Sequence, residues 1–490
     1  MDIRIKFLLT GLALLTLAAM AFAQPPDTLW TRTYGGGNYD YGENVQQTTD
    51  GGYIIAGGTR SFGAGGLDFY LIKTDADGGT IWTRTYGGSD DDYSESVQQT
   101  VDGGYIITGY TRSFSVGDQD VYLMKTDTGG DTIWTQTFGG AGCDRGCCIQ
   151  QTADGGYIIT GGTVSYGAGY FDVYLIKTDA NGDSLWTRTF GGNEADEGRC
   201  VQQTLDGGYI IAGYTKSYGA GDYDVYLIKT NANGDTTWTH TFGGSNTDIG
   251  ISVKQTSDEG YVIIGRTNSF GAGSYDVYLI KTDVNGDTLW TRTFGGSDNE
   301  DGFCVQQTVD GGYIITGPTS SYGAGGPDVY LVKVDLDGTQ IWQQTFGGSG
   351  YDCGHCVQQT TDSGYAIAGL TDSYGAGLYD VYLIKTAAEP VPVAPFEEMP
   401  VAPRAFALHL PYPNPFNPST AIGYRLPAPG LVSLRIYDTA GREVKTLVDG
   451  WQGAGRHEVT FDASGLPSGI YFVRLAAGEG TAVQKVVLLK

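Results

Sequence analysis

Four short strand-like runs, parted by Gly/Asp turns, recur along most of the chain. In the unit around Trp186 they are 185–190 (LWTRTF), 200–204 (CVQQT), 208–215 (GYIIAGYT) and 224–230 (DVYLIKT). None has helical spacing. β-branched and aromatic residues fill the runs and Gly clusters separate them, which predicts strands. YIIAG and VYLI are apolar without alternation, so both their faces are covered. VQQT and WTRTF mix polar and apolar positions and belong at sheet edges.

The unit repeats at a fixed period. Trp30, Trp82, Trp134, Trp186, Trp238, Trp290 and Trp342 are each 52 residues apart. A four-stranded sheet covered on both faces and repeated at such a period predicts a seven-bladed β-propeller. Small residues precede VQQT (Gly42, Gly146, Gly198, Gly250, then Asn44, Ser96, Cys148, Cys200, Ser252, Cys304 or Cys356). Strands crowd at the axis, so VQQT is placed innermost, then GYIIAG, then DVYLIK, with the Trp run outermost. The first Trp run, 27–36 (DTLWTRTYGG), precedes every inner strand, and the last DVYLIKT, at 380–386, has no Trp run after it. The orphan run should complete the last blade and close the ring, removing an exposed sheet edge.

The two ends read differently. Residues 1–23 have a basic start, a short apolar core and an A-x-A ending at Ala23, the pattern of a secretory signal peptide. The propeller is expected over 24–386. Residues 387–408 are Pro/Ala/Glu-rich and read as an extended linker. Residues 409–490 show apolar alternation broken by the turn signals DTAGR, WQGAGR and ASGLPSG, which predicts a small β-sandwich. No mature segment has transmembrane length, and a monomer is expected. The formal charge of −26 argues against nucleic acid, whose phosphates need a basic footprint. Seven Cys is an odd count for an exported chain. Cys143–Cys147 or Cys353–Cys356 could pair, and the four Cys that follow the small residues read as small buried side chains. The run Cys353-Gly-His-Cys356 lacks a second ligand pair, so no zinc site is expected.

Two resemblances follow from the motifs. The Lys-ended strand, the Asp/Asn-Gly turn, W-x-x-T-[FY]-G-G and G-Y-x-x-x-G-x-T-x-S resemble the bacterial SBBP-type β-propeller repeats. The end of the chain is similar to the C-terminal sorting domains of the type IX (Por) secretion system, whose Ig-like sandwich is shared with the flagellar hook-capping module. The matching residues are Tyr412, Pro413, Asn414, Pro415 and Phe416 with Asn417-Pro-Ser-Thr420, Ile436-Tyr-Asp438 with Gly441-Arg442, Ser468, Gly469, Ile470 and Tyr471, and Lys485 to Lys490. That likeness implies export, the outer-membrane secretion machinery as a partner, and delivery to the cell surface or the medium of a Gram-negative-type bacterium.

Candidate binding residues lie on one loop face. An acid stands ten residues after each Trp: Asp40, Asp92, Asp144, Asp196, Asp248, Glu300 and Asp352. A second acid opens each third strand: Asp68, Asp120, Asp172, Asp224, Asp276, Asp328 and Asp380. Such rings could hold Ca²⁺, but recurrence in every blade favours bracing of the turns. The same face carries Phe62, Phe114, Tyr166, Tyr218, Phe270, Tyr322 and Tyr374, aromatics that could hold a glycan or pack between blades. DANGD (179–183) and DVNGD (283–287) lack the closing Glu of an EF-hand and read as hairpin turns. Only four His exist, none in a triad pattern. Blades differ at few places, notably 28 and 30 residues past each Trp (Tyr110/Arg112, Gly162/Val164, Arg266/Asn268, Leu370/Asp372) and in the acidic loop. These features suggest an exported, non-enzymatic binding or scaffold protein without a bound cofactor, its ligand a glycan or a surface protein. The alternatives are a secreted hydrolase or lyase using loop carboxylates, and a structural surface-layer component.

Overall fold

The computed structural model describes residues 24–390, 406–478 and 480–490. The expected signal peptide and most of the expected linker lie outside the described residues. The chain divides into two compact units.

Among the described residues the first unit is all β: seven four-stranded sheets, one per repeat. Blade 1 runs Asp40–Gln47, Tyr53–Thr59, Asp68–Thr74 and Thr80–Tyr86, paired antiparallel in that order from axis to rim. The two middle strands are buried along their whole length, whereas the outer strand is largely solvated. This is the division that continuous and mixed apolar patterns demand. Blade 7 contains Asp352–Gln359, Tyr365–Thr371 and Asp380–Thr386, and its outer strand is Thr28–Tyr34 from the other end of the repeat array. Trp30 pairs with Lys385 and Tyr34 with Val381, so the ring closes as a three-plus-one clasp.

Apolar clusters fill the spaces between blades rather than the blades themselves. Val45, Tyr53 and Ile55 of blade 1 pack with Ala366, Val381 and Leu383 of blade 7. Each outer Trp meets the Tyr that opens the second strand of the next blade, as in Trp30–Tyr53 at 6.0 Å and Trp82–Tyr105 at 5.9 Å. Such pairs contribute roughly 0.5–1.5 kcal/mol beyond area burial.

The VQQT motif stitches the axis. The first Gln of one blade accepts a 2.6–2.7 Å bond from the backbone N–H of the second Gln in the next, at six of the seven junctions. The second Gln accepts from a turn N–H of the preceding blade at all seven, at 2.9–3.0 Å. The gap in the first ladder falls at blade 5, where Lys254 replaces Gln.

The Lys that ends each third strand is explained by the DGG turn. Lys73 reaches Asp50 at 3.0 Å while donating to its neighbour's carbonyl, and all seven blades repeat the pair at 2.8–3.0 Å. That hold keeps the turn carboxylates below the usual range, Asp206 at about 2; burial opposes the shift, and the bonds from Lys229, Thr204 and Gly208 outweigh it. Gly51 has φ +86°, and Gly52 leaves no room for a Cβ beside the Thr74 carbonyl. Where Gly51 stands in blade 1, blades 5 and 7 carry Glu259 (φ 68°) and Ser363 (φ 65°), strained positions for a side chain.

The second unit has two sheets around one core. Ala407–Leu408, Ser419–Leu426 and Gly455–Asp462 form one; Glu443–Gln452, Gly430–Asp438, Gly469–Ala477 and Gly480–Leu488 form the other. Strand pairing begins at Ala407, two residues before the boundary expected from composition.

Candidate functional site

Bulges in the inner strands build the site. In the first blade the pairing steps from Gly42↔Gly57 to Asn44↔Ala56, leaving Glu43 as the extra residue. The same step leaves out Glu95, Cys147, Arg199, Ile251 and His355. In blade 6 the inner strand is shortened to Cys304–Gln307, because Pro318 on the neighbouring strand has no N–H to give the ladder. Phe303 takes the equivalent place. Bulges re-aim side chains, and all seven of these line an axial channel of about 670 Å³. Volumes of this order suit small-molecule sites.

The ring is chemically uneven around the axis. Glu43 and Glu95 make an acidic arc, Arg199 faces in from blade 4, Ile251 and Phe303 form an apolar arc, and His355 closes the circle. The Glu43 carboxylate is held on both sides: Tyr93 donates its hydroxyl to one oxygen, and His355 Nδ1 lies 3.0 Å from the other. The same Nδ1 is 3.0 Å from the Gly42 carbonyl, and the ring rests 5.5 Å from Phe303. Burial works against charge on His355, but Cys353 and Glu43 outweigh it and hold the imidazole protonated. Glu43 is correspondingly lowered: burial opposes ionisation, and His355 and Tyr93 overcome it. Arg199 is anchored on Glu197 at 3.2 Å, and Glu197 in turn accepts the Tyr214 hydroxyl.

Two groups stay unengaged among the described residues. Glu95 has no hydrogen-bond donor there, and desolvation, then the charge of Glu43, push its carboxyl up to about 7. Lys254 lines the channel three residues beyond the bulge position, among the thiols of Cys148, Cys200, Cys304 and Cys356 rather than beside a carboxylate.

The residues singled out on the loop face stand elsewhere. Asp40, Asp92, Asp144, Asp196, Asp248, Glu300 and Asp352 are fully buried. Asp196 shows why: Oδ2 accepts the Gly192 N–H at 2.8 Å and the Ser217 hydroxyl at 2.6 Å, while Thr215 donates to Oδ1. The ring therefore braces turns and presents no carboxylate to an extracellular ligand, which corrects the expectation of an acidic binding face. Asp68, Asp120, Asp172, Asp224, Asp276, Asp328 and Asp380 are buried too. Among the described residues no cluster of three metal-ligating side chains occurs. Phe62, Phe114, Tyr166, Tyr218, Phe270 and Tyr374 are 45–48 % exposed, with Tyr322 less so. Each rests on a third-strand Tyr, as in Phe62–Tyr70 at 5.8 Å, and the tyrosines donate to a loop carbonyl, as Tyr218 does to Gly191 at 2.7 Å. The cysteine pairs in reach are also different from those expected. Cys148–Cys200 and Cys304–Cys356 bring Sγ atoms to 3.8 Å across neighbouring blades.

Variation at a strand position, rather than in a loop, marks the channel in the sequence. It lies 13 residues past each Trp: Glu, Glu, Cys, Arg, Ile, Phe and His. Eleven residues past, Tyr41, Tyr93, Arg145, Glu197, Ile249, Asp301 and Cys353 diverge equally.

In the second unit the Tyr412–Phe416 motif docks on the last strand. Phe416 is buried in the core, its N–H donates to Val487, and Asn414 takes the Val487 N–H at 2.8 Å and reaches the Lys485 carbonyl at 3.0 Å. Tyr471 is buried with its hydroxyl on Pro467, and Gly469 opens its strand. Lys490 ties the terminus to Ser464 and Ser468, while Tyr412 and Lys485 stay exposed. Residues 411–489 match the family described as the secretion system C-terminal sorting domain. This unit is a secretion sorting domain. The sorting domain assigns the chain to type IX export, with delivery to the cell surface or the extracellular space.

The regulatory protein FlaEY of Caulobacter vibrioides is 25% identical over 244 residues, 42% of this chain and 24% of FlaEY. The chain thus spans about a quarter of that relative's length. Among solved structures, a puromycin hydrolase aligns over 79% of this chain and 59% of its own, at 11% identity and a TM-score of 0.43. The β-propeller domain of the Trilobed protease from Pyrococcus furiosus aligns over 74% and 99%, at 9% identity and a TM-score of 0.38.

Proposed function

We propose that the sorting domain delivers a propeller that binds a small dipolar ligand in its axial channel, with an amino acid or short peptide as the best fit. The observation that carries this reading is a ring of seven residues, six of them at bulges and only two alike in type, lining one channel. Glu95 offers an unengaged carboxyl for an amine or hydroxyl, Lys254 an unengaged ammonium for a carboxylate, and Ile251 with Phe303 an apolar wall. Three residues of strand separate the levels of Glu95 and Lys254, about 10 Å at 3.3 Å per residue. An extended peptide of two or three residues spans roughly 7–10 Å. The test is a thermal-shift screen of the full chain against free amino acids, di- and tripeptides and neutral oligosaccharides. Saturable stabilisation by peptides that disappears in Glu95→Gln/Lys254→Gln supports the reading. Stabilisation by oligosaccharides alone, kept in that variant, refutes it.

A second reading is hydrolysis, favoured by one observation. Glu43 is ionised and Glu95 is held near neutrality in the same ring, the division of roles that carboxylate acid–base chemistry uses. Turnover of a bound peptide or glycoside, lost in both Glu43→Gln and Glu95→Gln, would replace binding with catalysis.

A further inference from the structure

The residue after each bulge forms its own layer in the channel: Asn44, Ser96, Cys148, Cys200, Ser252, Cys304 and Cys356. In two of the three polar blades this side chain accepts a backbone N–H from the next blade, Asn44 from Val97 at 3.3 Å and Ser96 from Ile149 at 3.4 Å. A thiol serves that place poorly. Cys148, Cys200, Cys304 and Cys356 instead lie 3.5–3.7 Å from carbonyl oxygens of the following blade. The four thiols are not scattered round the ring. They stand as two neighbouring couples, each with 3.8 Å between Sγ atoms. All seven cysteines are thiols in this structure.

We infer that the exported protein carries two interblade disulfides, Cys148–Cys200 and Cys304–Cys356, which staple blade 3 to blade 4 and blade 6 to blade 7. Closing from 3.8 Å to a bond of about 2.05 Å needs side-chain rotation of under 2 Å between the sulfurs. Export places the chain where disulfides form and persist. The oxidant is a disulfide, either a dithiol oxidoreductase or a small-molecule disulfide. The Cys200 thiolate attacks one of its sulfurs and expels the other as a thiolate. Cys148, losing its proton, then displaces the remaining oxidant sulfur from Cys200. Two thiols give up two protons and two electrons, and the oxidant leaves as two thiols. Cys200 and Cys304 are the members held below the ordinary thiol range, each through its partner's hydrogen bond, which supplies the attacking thiolate. Cys143, Cys147 and Cys353 remain free; Cys147 is occupied with Glu197 at 3.5 Å and Arg199 at 3.8 Å.

The test uses the full chain collected after export, denatured in iodoacetamide before any reductant and mapped by mass spectrometry. Three of the seven cysteines should be labelled, with crosslinked peptides joining 148 to 200 and 304 to 356. Cys148→Ser, a residue the ring already holds at Ser96 and Ser252, should free Cys200 for labelling and leave the other crosslink intact. Reduction should lower the melting midpoint by about 5 °C per bond, since each closes a loop of about 50 residues. Labelling of all seven, or a bond between Cys143 and Cys147 or between Cys353 and Cys356, overturns the inference.

Discussion

Lys254→Gln should make the propeller more stable while disabling its channel. Six junctions carry the Gln-to-backbone bond at 2.6–2.7 Å. At the seventh, Lys254 has no oxygen to offer the Gln307 N–H, and its ammonium sits among thiols. The substitution completes the ladder. One buried hydrogen bond contributes a net of about 1 kcal/mol. At about 2.1 cal/mol/K of unfolding entropy per residue, a propeller of about 360 residues moves its midpoint by roughly 1–2 °C. Differential scanning calorimetry of parent and variant reads this directly. The converse change, Gln202→Lys, opens an intact junction and should lower the midpoint by a comparable amount. A Lys254→Gln protein that melts at or below the parent would show that the Gln ladder does not account for ring closure. A cost in stability retained at one blade in seven is expected of a functional residue.

Removing 25–36 deletes the clasp strand, so the truncated chain should aggregate and melt lower; an equally stable, monodisperse product contradicts the pairing at Thr28–Tyr34. Glu259→Gly should stabilise by up to about 1 kcal/mol in urea unfolding, because φ 68° strains any side chain; Ser363→Gly should follow, and two neutral results would deny that strain. Glu95 is raised in the fold, so its contribution to stability is full below its unfolded range and is lost as pH rises from about 4.5 through about 7. Glu95→Gln should flatten that slope, and amine-bearing peptides should bind the parent better at pH 8 than at pH 6; unchanged profiles would remove Glu95 from the account. Calcium should shift the midpoint little and without saturation, since the acid rings are spent on turns; a large saturable shift abolished by Asp196→Asn/Asp224→Asn would make them ion sites.

The fold was legible in the sequence because repetition amplified weak signals. One VQQT is an ambiguous run, but seven copies at a fixed interval, five exact and two as IQQT and VKQT, name an edge strand, and the unmatched Trp run at 27–36 declares the clasp. What single blades obscured was which edge residues turn inward. Alternation assigns faces by parity, and the bulge between Gly42 and Asn44 breaks parity by one residue. The variable position therefore looked like part of an acidic loop rather than the wall of a channel. The exposed aromatics, by contrast, were visible because each stands 32 residues past its Trp. Their repetition in every blade matches their packing on Tyr70 and its counterparts. The buried ring acids each accept their own turn's amide and hydroxyl hydrogens, the bracing that recurrence in every blade favours.

The most direct measurement is a crystal of the full chain soaked with the strongest peptide from the thermal screen. The account predicts difference density on the propeller axis, with the amino group at Glu95 and the carboxylate at Lys254. Density against Phe62, Tyr218 and their counterparts on the loop face, with the axis empty at saturating peptide, would contradict it.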